Sequence, residues 1–314
     1  MTSADDIRPP RAYVLFMNRS HPLMPLLAAL TGIALFTIMD ATMKRASLAS
    51  NIYDALLFRS LIGTILLFPL WKLRGGRWPA PQVLRLHGTR SAVVAAMALL
   101  YFWGLVRLPL AEAISISFIA PLIALYLAAA ILGERIGRWA IGGSLLGLAG
   151  VVVISVGHIG GGGGNRAAQG PGIAAILCSA VLYGWNLILQ RQQALLAAPR
   201  EVAFFQNLLI GLILSVAAPW LAHRPSAEAL GLITTAAVLA ATSLMLLSWA
   251  YARSEAQLLL PTEYSAFIWA ALVGWLWFGE RLDAATLVGG ALIVAGCLTA
   301  ARGTPAQHAE LTAA

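Results

Sequence analysis

Charge is what this 314-residue chain has least of. Asp, Glu, Lys and Arg together make up 11% of it, against about 25% in soluble domains. So few charges cannot clothe a globule whose composition is 60% hydrophobic and whose mean hydropathy is +0.80. Disorder is excluded for the same reason, since disordered chains are polar and charge-rich. Cysteine is almost missing. Cys178 and Cys297 sit singly inside apolar runs. Without the CxxC spacing of a metal or redox site, they read as small buried hydrophobes. The five histidines (His21, His87, His158, His223 and His308) are scattered in or near loops, and none pair at metal-ligand spacing. The sequence therefore calls for no metal and no cofactor. The one adjacent acidic pair, Asp5-Asp6, lies in the polar N-terminal tail, and there is no HExxH motif. This disfavours a membrane-embedded transferase, which needs clustered carboxylates for metal or acid–base work.

What the chain has is apolar length. Runs bounded by charge, Pro or Gly cover residues 23–44, 52–72, 87–107, 110–132, 138–157, 171–191, 201–222, 229–252, 256–278 and 284–302. A spanning helix takes about 20 apolar residues. The expected fold is therefore all-α integral membrane, with ten transmembrane helices. The first run is of spanning length and ends in Lys44-Arg45, which marks a retained helix rather than a signal peptide. The net charge is +8. In a soluble protein that would suggest nucleic acid; here it reads as basic loops that set topology and meet anionic lipid. An even number of spans puts both termini on one side. That side carries 14 basic residues, with Arg90, at the start of the third run, counted among those between the second and third runs. The other side carries six: Lys44, Arg45, Arg107, Arg166, Arg224 and Arg281. The positive-inside bias places both termini in the cytoplasm.

The chain also matches itself at an offset of 146 residues. Gly133-Glu134-Arg135 returns as Gly279-Glu280-Arg281, Trp103 and Arg107 return as Trp249 and Arg253, and Gly143 and Gly150 return as Gly289 and Gly296. This divides the chain into two five-helix repeats, residues 23–157 and 171–302. A Gly-rich outer linker (158–170) joins them, and tails 1–22 and 303–314 flank them. The Gly160–Gly164 run lacks the Lys-Ser/Thr of a phosphate loop and is a flexible linker. An odd number of spans per repeat inverts the second copy. Inverted repeats are a hallmark of secondary transporters, in which two equivalent arrangements of one scaffold open to opposite sides.

Spans four and five carry Pro121-Leu122-Ile123, Leu132-Gly133-Glu134-Arg135 and Gly143, Gly147 and Gly150; span nine carries Leu260-Pro261-Thr262-Glu263-Tyr264 and Phe278-Gly279-Glu280-Arg281. In these stretches the chain resembles the EamA family of the drug/metabolite transporter superfamily over residues 23–302. The resemblance implies a bacterial inner-membrane carrier that moves small organic metabolites without ATP. The Pro-x-Glu-Tyr stretch, with Asp40 and Arg59, looks most like a subgroup that includes S-adenosylmethionine and riboflavin carriers, and the superfamily also includes amino-acid exporters.

Ionisable residues inside spans are costly and point to function. Asp40 and Arg59 both fall in the outer half of their spans. They suit either a fixed ion pair or contact with the solute, for which Arg offers a planar fork. Lys44, four residues after Asp40, is placed to pair with it or to reach the interface. At the repeat offset Asp40 and Lys44 become Asn186 and Gln190, and one residue further on Arg59 becomes Gln206. These neutral groups suit a solute charged at one end, or hydrogen bonds between helices. Glu263 follows Pro261 by two residues. Proline frees a backbone carbonyl, so an acidic group there is a candidate proton or cation site; the alternative is an interfacial pair with Arg253 or Lys72. Tyr101, Trp103, Tyr183, Trp185 and Tyr264 complete the candidate substrate-binding set, for stacking or cation–π contact with a flat or cationic solute. Trp71, Trp78, Trp139 and Trp220 read as interfacial belt residues. The glycines of spans five and ten read as close-packing faces, within the scaffold or at a homodimer contact.

The function expected is a secondary carrier working by alternating access, coupled to protons or to a counter-solute, with the lipid bilayer and a small molecule as partners. A transferase, a non-catalytic scaffold and a channel are the competing classes.

Overall fold

The computed structural model describes residues 23–108, 110–132, 137–159, 166–279 and 284–301. Both tails, the Gly160–Gly164 run, Gly133-Glu134-Arg135 and Glu280-Arg281 lie outside the described residues. Within them the chain is helix and turn: α1 (Met24–Ala49), α2 (Ile52–Lys72), α3 (Pro81–Leu105), α4 (Leu110–Ser117), α5 (Ile119–Leu127), a π-helical turn (Ala128–Leu132), α6 (Arg138–Ile159), α7 (Arg166–Leu196), α8 (Pro199–Ser215), α9 (Ala218–Leu221), α10 (Ala227–Tyr251), α11 (Ala256–Leu259), a 3₁₀ helix (Leu260–Ser265), α12 (Ala266–Phe278) and α13 (Ala284–Ala301). Five of these are long and apolar enough to cross a membrane: α1, α2, α3, α7 from Gly170 onward, and α10.

Local chemistry sets the ends. Pro81 and Pro199 open α3 and α8, where a missing N–H costs nothing. Asn51 caps α2 by accepting from the Asp54 N–H at 2.8 Å, and Ser226 caps α10 by accepting from Ala229 at 3.2 Å. Gly279 closes α12 at φ 68°, a left-handed conformation that only glycine adopts freely. The fourth and ninth predicted runs are not continuous helices. The former breaks at Phe118, and the latter passes through the 3₁₀ helix that holds Pro261. Phe118 and Tyr264, which correspond at the repeat offset, meet at these two breaks with ring centroids 5.1 Å apart.

Packing joins elements from either side of residue 160. The main pairs are α1 with α10, α2 with α8, α3 with α7, and α6 with α13; α4 lies on α12. The glycine faces explain the tightest pair. A Cβ on Gly150 would stand 2.5 Å from the Gly289 carbonyl oxygen, and one on Gly296 would stand 2.6 Å from that of Gly143. The α6 and α13 backbones thus touch directly. At the α2 end, Asp54 accepts from the His223 N–H at 3.0 Å and from Asn51 Nδ2 at 2.5 Å. It ties the segment after α9 to the start of α2.

Two sequence expectations change. Trp71 is buried and stacks on Phe204 (4.8 Å, 10°), whereas Trp78, Trp139 and Trp220 are exposed as belt residues should be. Cys178 is exposed on α7 rather than buried; a helix apolar all round gives no sign of which face turns inward.

Candidate functional site

A cavity of about 160 Å³ opens among α1, α2, α3, α4, α7, α8, α10, the 3₁₀ helix and the start of α12. Its apolar walls include Phe36, Phe102 and Phe118, and four ionisable side chains reach it: Asp40, Arg59, Arg90 and Glu263. One of these, Arg90, belongs to the pair formed by α3 and α7. α3 presents Arg90, Val94, Met97 and Tyr101, and α7 presents Tyr183, Asn186 and Gln190, each at the helical spacing of one face. From Arg90 to Tyr101 is roughly 16 Å along the axis, so the polar groups fall into three levels.

At one end lie Asp40, Tyr101 and Arg59. Tyr101 Oη donates to Asp40 Oδ2 at 3.1 Å. Arg59 Nη1 lies 3.5 Å from Met39 Sδ, and among the described residues its Nε meets no hydrogen-bond acceptor. No salt bridge within 4.0 Å joins Asp40 to Arg59 among the described residues. Lys44 does not reach for Asp40 here; its Nζ donates to the Leu108 carbonyl at 2.8 Å.

In the middle sits Glu263. The 3₁₀ helix carries it into the interior, where all six residues from Leu260 to Ser265 are buried. Its carboxylate accepts from Tyr183 Oη and, at 3.2 Å, from Tyr251 Oη. The two basic residues considered as interfacial partners point elsewhere: Arg253 lies over the Trp249 ring at 4.3 Å and Lys72 over Trp71 at 5.9 Å. Tyr251, an aromatic within the eighth run but outside the candidate set, joins the site through its bond to Glu263.

At the other end is Arg90, which sequence reasoning assigned to a loop. It is 2% exposed. Its guanidinium donates to three amide oxygens of α7: Asn186 Oδ1 at 2.9 Å, Gln190 Oε1 at 2.8 Å and Gln193 Oε1 at 2.5 Å. Among these described contacts the cation has no carboxylate partner. His87, also assigned to a loop, is fully buried one turn earlier. The missed signal was Pro81. Read as the first residue of a helix, it sets Arg90 about 13 Å inside α3.

The predicted residues therefore divide. Asp40, Arg59, Tyr101, Tyr183, Asn186, Gln206 and Glu263 line the cavity, and Gln206 Oε1 has no hydrogen-bond partner among the described residues. Trp103 and Trp185 are 37% and 44% exposed and face away from it; Arg107 covers the Trp103 ring at 3.6 Å. Tyr264 is buried beside the cavity rather than in its wall, against Phe118 and Gly147.

Comparison with known proteins adds to this geometry. The family described as EamA-like transporter family matches the chain over residues 23–156 and 170–302. The pseudopaline exporter CntI of Pseudomonas aeruginosa is 27% identical, over 92% of this chain and 98% of its own. A probable terminal-alkyne amino-acid exporter of Streptantibioticus cattleyicolor is 28% identical, over 69% of this chain and 72% of its own. A riboflavin transporter of Rhizobium johnstonii is 27% identical, over 68% of each chain. One crystal structure superposes with a TM-score of 0.74 at 22% identity, covering 89% of this chain and 99% of that one; it shows the same fold.

Proposed function

Because the chain belongs to the EamA-like transporter family, we propose that it is a secondary carrier of small zwitterionic, amino-acid-like metabolites. The observation that carries this reading is one cavity reached by two guanidinium groups and two carboxylates, all from buried or half-buried side chains. A solute with both charges can exchange its hydration for these groups, whereas a singly charged or neutral one leaves charges unmatched in a low-dielectric interior. Arg59, with its free Nε, takes the solute carboxylate as a planar fork. Asp40 or Glu263 takes the ammonium group. The relative named as an amino-acid exporter supports this class.

The working cycle in this reading is alternating access between two inverted halves, 23–157 and 171–302. Each predicted run is one crossing, with the discontinuous fourth and ninth placing their breaks at the cavity, as in other carriers. Support comes from the pairing of α1 with α10 and of α3 with α7, which exchange under the repeat offset. With Arg90 moved from loop to interior, the terminal side still holds 13 basic residues against six. This favours cytoplasmic termini in a bacterial inner membrane. Glu263 and Asp40 are the groups for proton coupling.

The aromatic walls and the riboflavin-transporting relative favour a second reading, a flat solute. Solute counterflow in proteoliposomes decides between the two. The panel is labelled amino acids, S-adenosylmethionine and riboflavin, with and without a pH gradient. Amino-acid exchange that disappears in Arg59→Ala is the expected result. Riboflavin flux without amino-acid flux overturns the zwitterion in favour of the flat solute.

A further inference from the structure

A side-chain chain leaves the cavity at Arg90 and ends at the rim of α8, and its chemistry fixes a direction. A guanidinium donates and cannot accept. The Gln193 atom 2.5 Å from Arg90 Nη1 is therefore the amide oxygen. The amide nitrogen of the same side chain then faces His87 Nδ1, with which it pairs. An amide NH₂ only donates, so Nδ1 accepts and the ring carries its proton on Nε2. Nε2 lies 3.4 Å from Glu201 Oε1. Every link points outward, from Arg90 through Gln193 and His87 to Glu201. His87 is fully buried with its ring stacked on Phe205 (5.0 Å, 16°), and Glu201 is 21% exposed, the open end of the path.

One added proton reverses the pattern. On protonated His87 Nδ1 becomes a donor and confronts the Gln193 NH₂. The amide restores that bond only by turning over, which presents its oxygen to Nδ1–H and its NH₂ to Arg90, donor against donor. Arg90 keeps Asn186 and Gln190 and loses Gln193. The bond from Nε2–H to Glu201 meanwhile gains a cationic donor beside the carboxylate. Other charged groups on packed elements lie elsewhere, Arg59 of α2 beside Met39 at the opposite end of the cavity. Arg200 of α8 donates to the Arg74 carbonyl at 3.3 Å, Arg191 of α7 to the Tyr251 carbonyl, Lys72 of α2 lies over Trp71, and Asp40 of α1 accepts from Tyr101.

We propose that Gln193 and His87 are positioning residues that make the hold on Arg90 depend on whether His87 carries a second proton, so that acid on the Glu201 side loosens one end of the solute cavity. This rests on the proposed function only in taking the cavity as the solute site.

Two measurements test it. The first is nitrogen NMR of full-length protein carrying ¹⁵N-histidine, with His87 assigned by its loss in His87→Asn. At about pH 7.5, where histidine is commonly neutral, the expected signature is an unprotonated Nδ1 and a protonated Nε2. The opposite tautomer, or a doubly protonated ring, overturns the proposal; no solute is needed, so this arm stands even if the panel above is not transported. The second is counterflow between about pH 7.5 and about pH 5.5. Loss of one bond to a charged group raises the wild-type KM roughly tenfold on acidification. His87→Asn, with a neutral acceptor near Nδ1 that does not titrate, flattens that rise. Gln193→Glu accepts from Arg90 and protonated His87 together, and removes it. A full pH response in both variants assigns the effect to Asp40 or Glu263 and overturns the relay.

Discussion

Arg90→Lys keeps the charge and removes the fork. Its three acceptors, Asn186, Gln190 and Gln193, are spread over about 10 Å of the α7 axis, and the guanidinium meets each with a different nitrogen at 2.5–2.9 Å. A lysine ammonium is a single point on a flexible stem. Its three N–H bonds leave one atom, so at least one of the amide oxygens goes without a donor. A lost hydrogen bond to a charged group is worth about 1.5–3 kcal/mol, and a buried acceptor left unpaired adds to it. We expect a destabilisation of about 2–4 kcal/mol. Thermal unfolding in detergent, followed by tryptophan fluorescence, should show a Tm several degrees lower. Counterflow on the same preparation should show KM raised about tenfold or more, by the same lost bond. A variant with the wild-type Tm and KM would refute the argument that the guanidinium geometry matters, leaving Arg90 as a generic buried charge.

Arg59→Ala should insert and fold yet lose solute exchange in proteoliposomes, because it removes a cavity cation whose Nε has no acceptor among the described residues; wild-type flux from folded protein removes Arg59 from the site. Glu263→Gln keeps the volume and the contacts of the Tyr183 and Tyr251 rings but no charge. Solute accumulation driven by a pH gradient should vanish, and undiminished accumulation would exclude Glu263 as the coupling group. Gly150→Ala brings a Cβ to 2.5 Å from the Gly289 oxygen, where about 3.3 Å is the usual carbon–oxygen limit. It should cost about 1–3 kcal/mol, read as a lower Tm, while KM stays as it was because neither α6 nor α13 supplies a described lining residue. An unchanged Tm would mean that the α6–α13 contact is not tight.

Much of the architecture is written in composition and repetition. Apolar runs bounded by charge locate the helices because a bilayer demands that length. Pro261 marks the break in the ninth run because it cannot donate within a helix, whereas the break at Phe118, the position that matches Tyr264, carries no such mark in the sequence. Asp40, Arg59 and Glu263 stand out because charge inside an apolar run is expensive. Arg90 and His87 were assigned to a loop because the run that opens with them becomes strongly apolar only after Ser91, while the helix begins at Pro81. What no pattern in this chain reveals is which face of a helix turns inward. The helices are apolar all round, so periodicity has nothing to distinguish. Tyr101 lines the cavity and Trp103 turns away from it; Tyr183 lines it and Trp185 does not. Each pair is two residues apart, about 200° around the helix. The sequence by itself determined where the apolar runs lie and that Asp40, Arg59 and Glu263 fall inside them. Only the packing of the helices against one another decided which polar groups meet, because those contacts set the rotation of each helix about its axis.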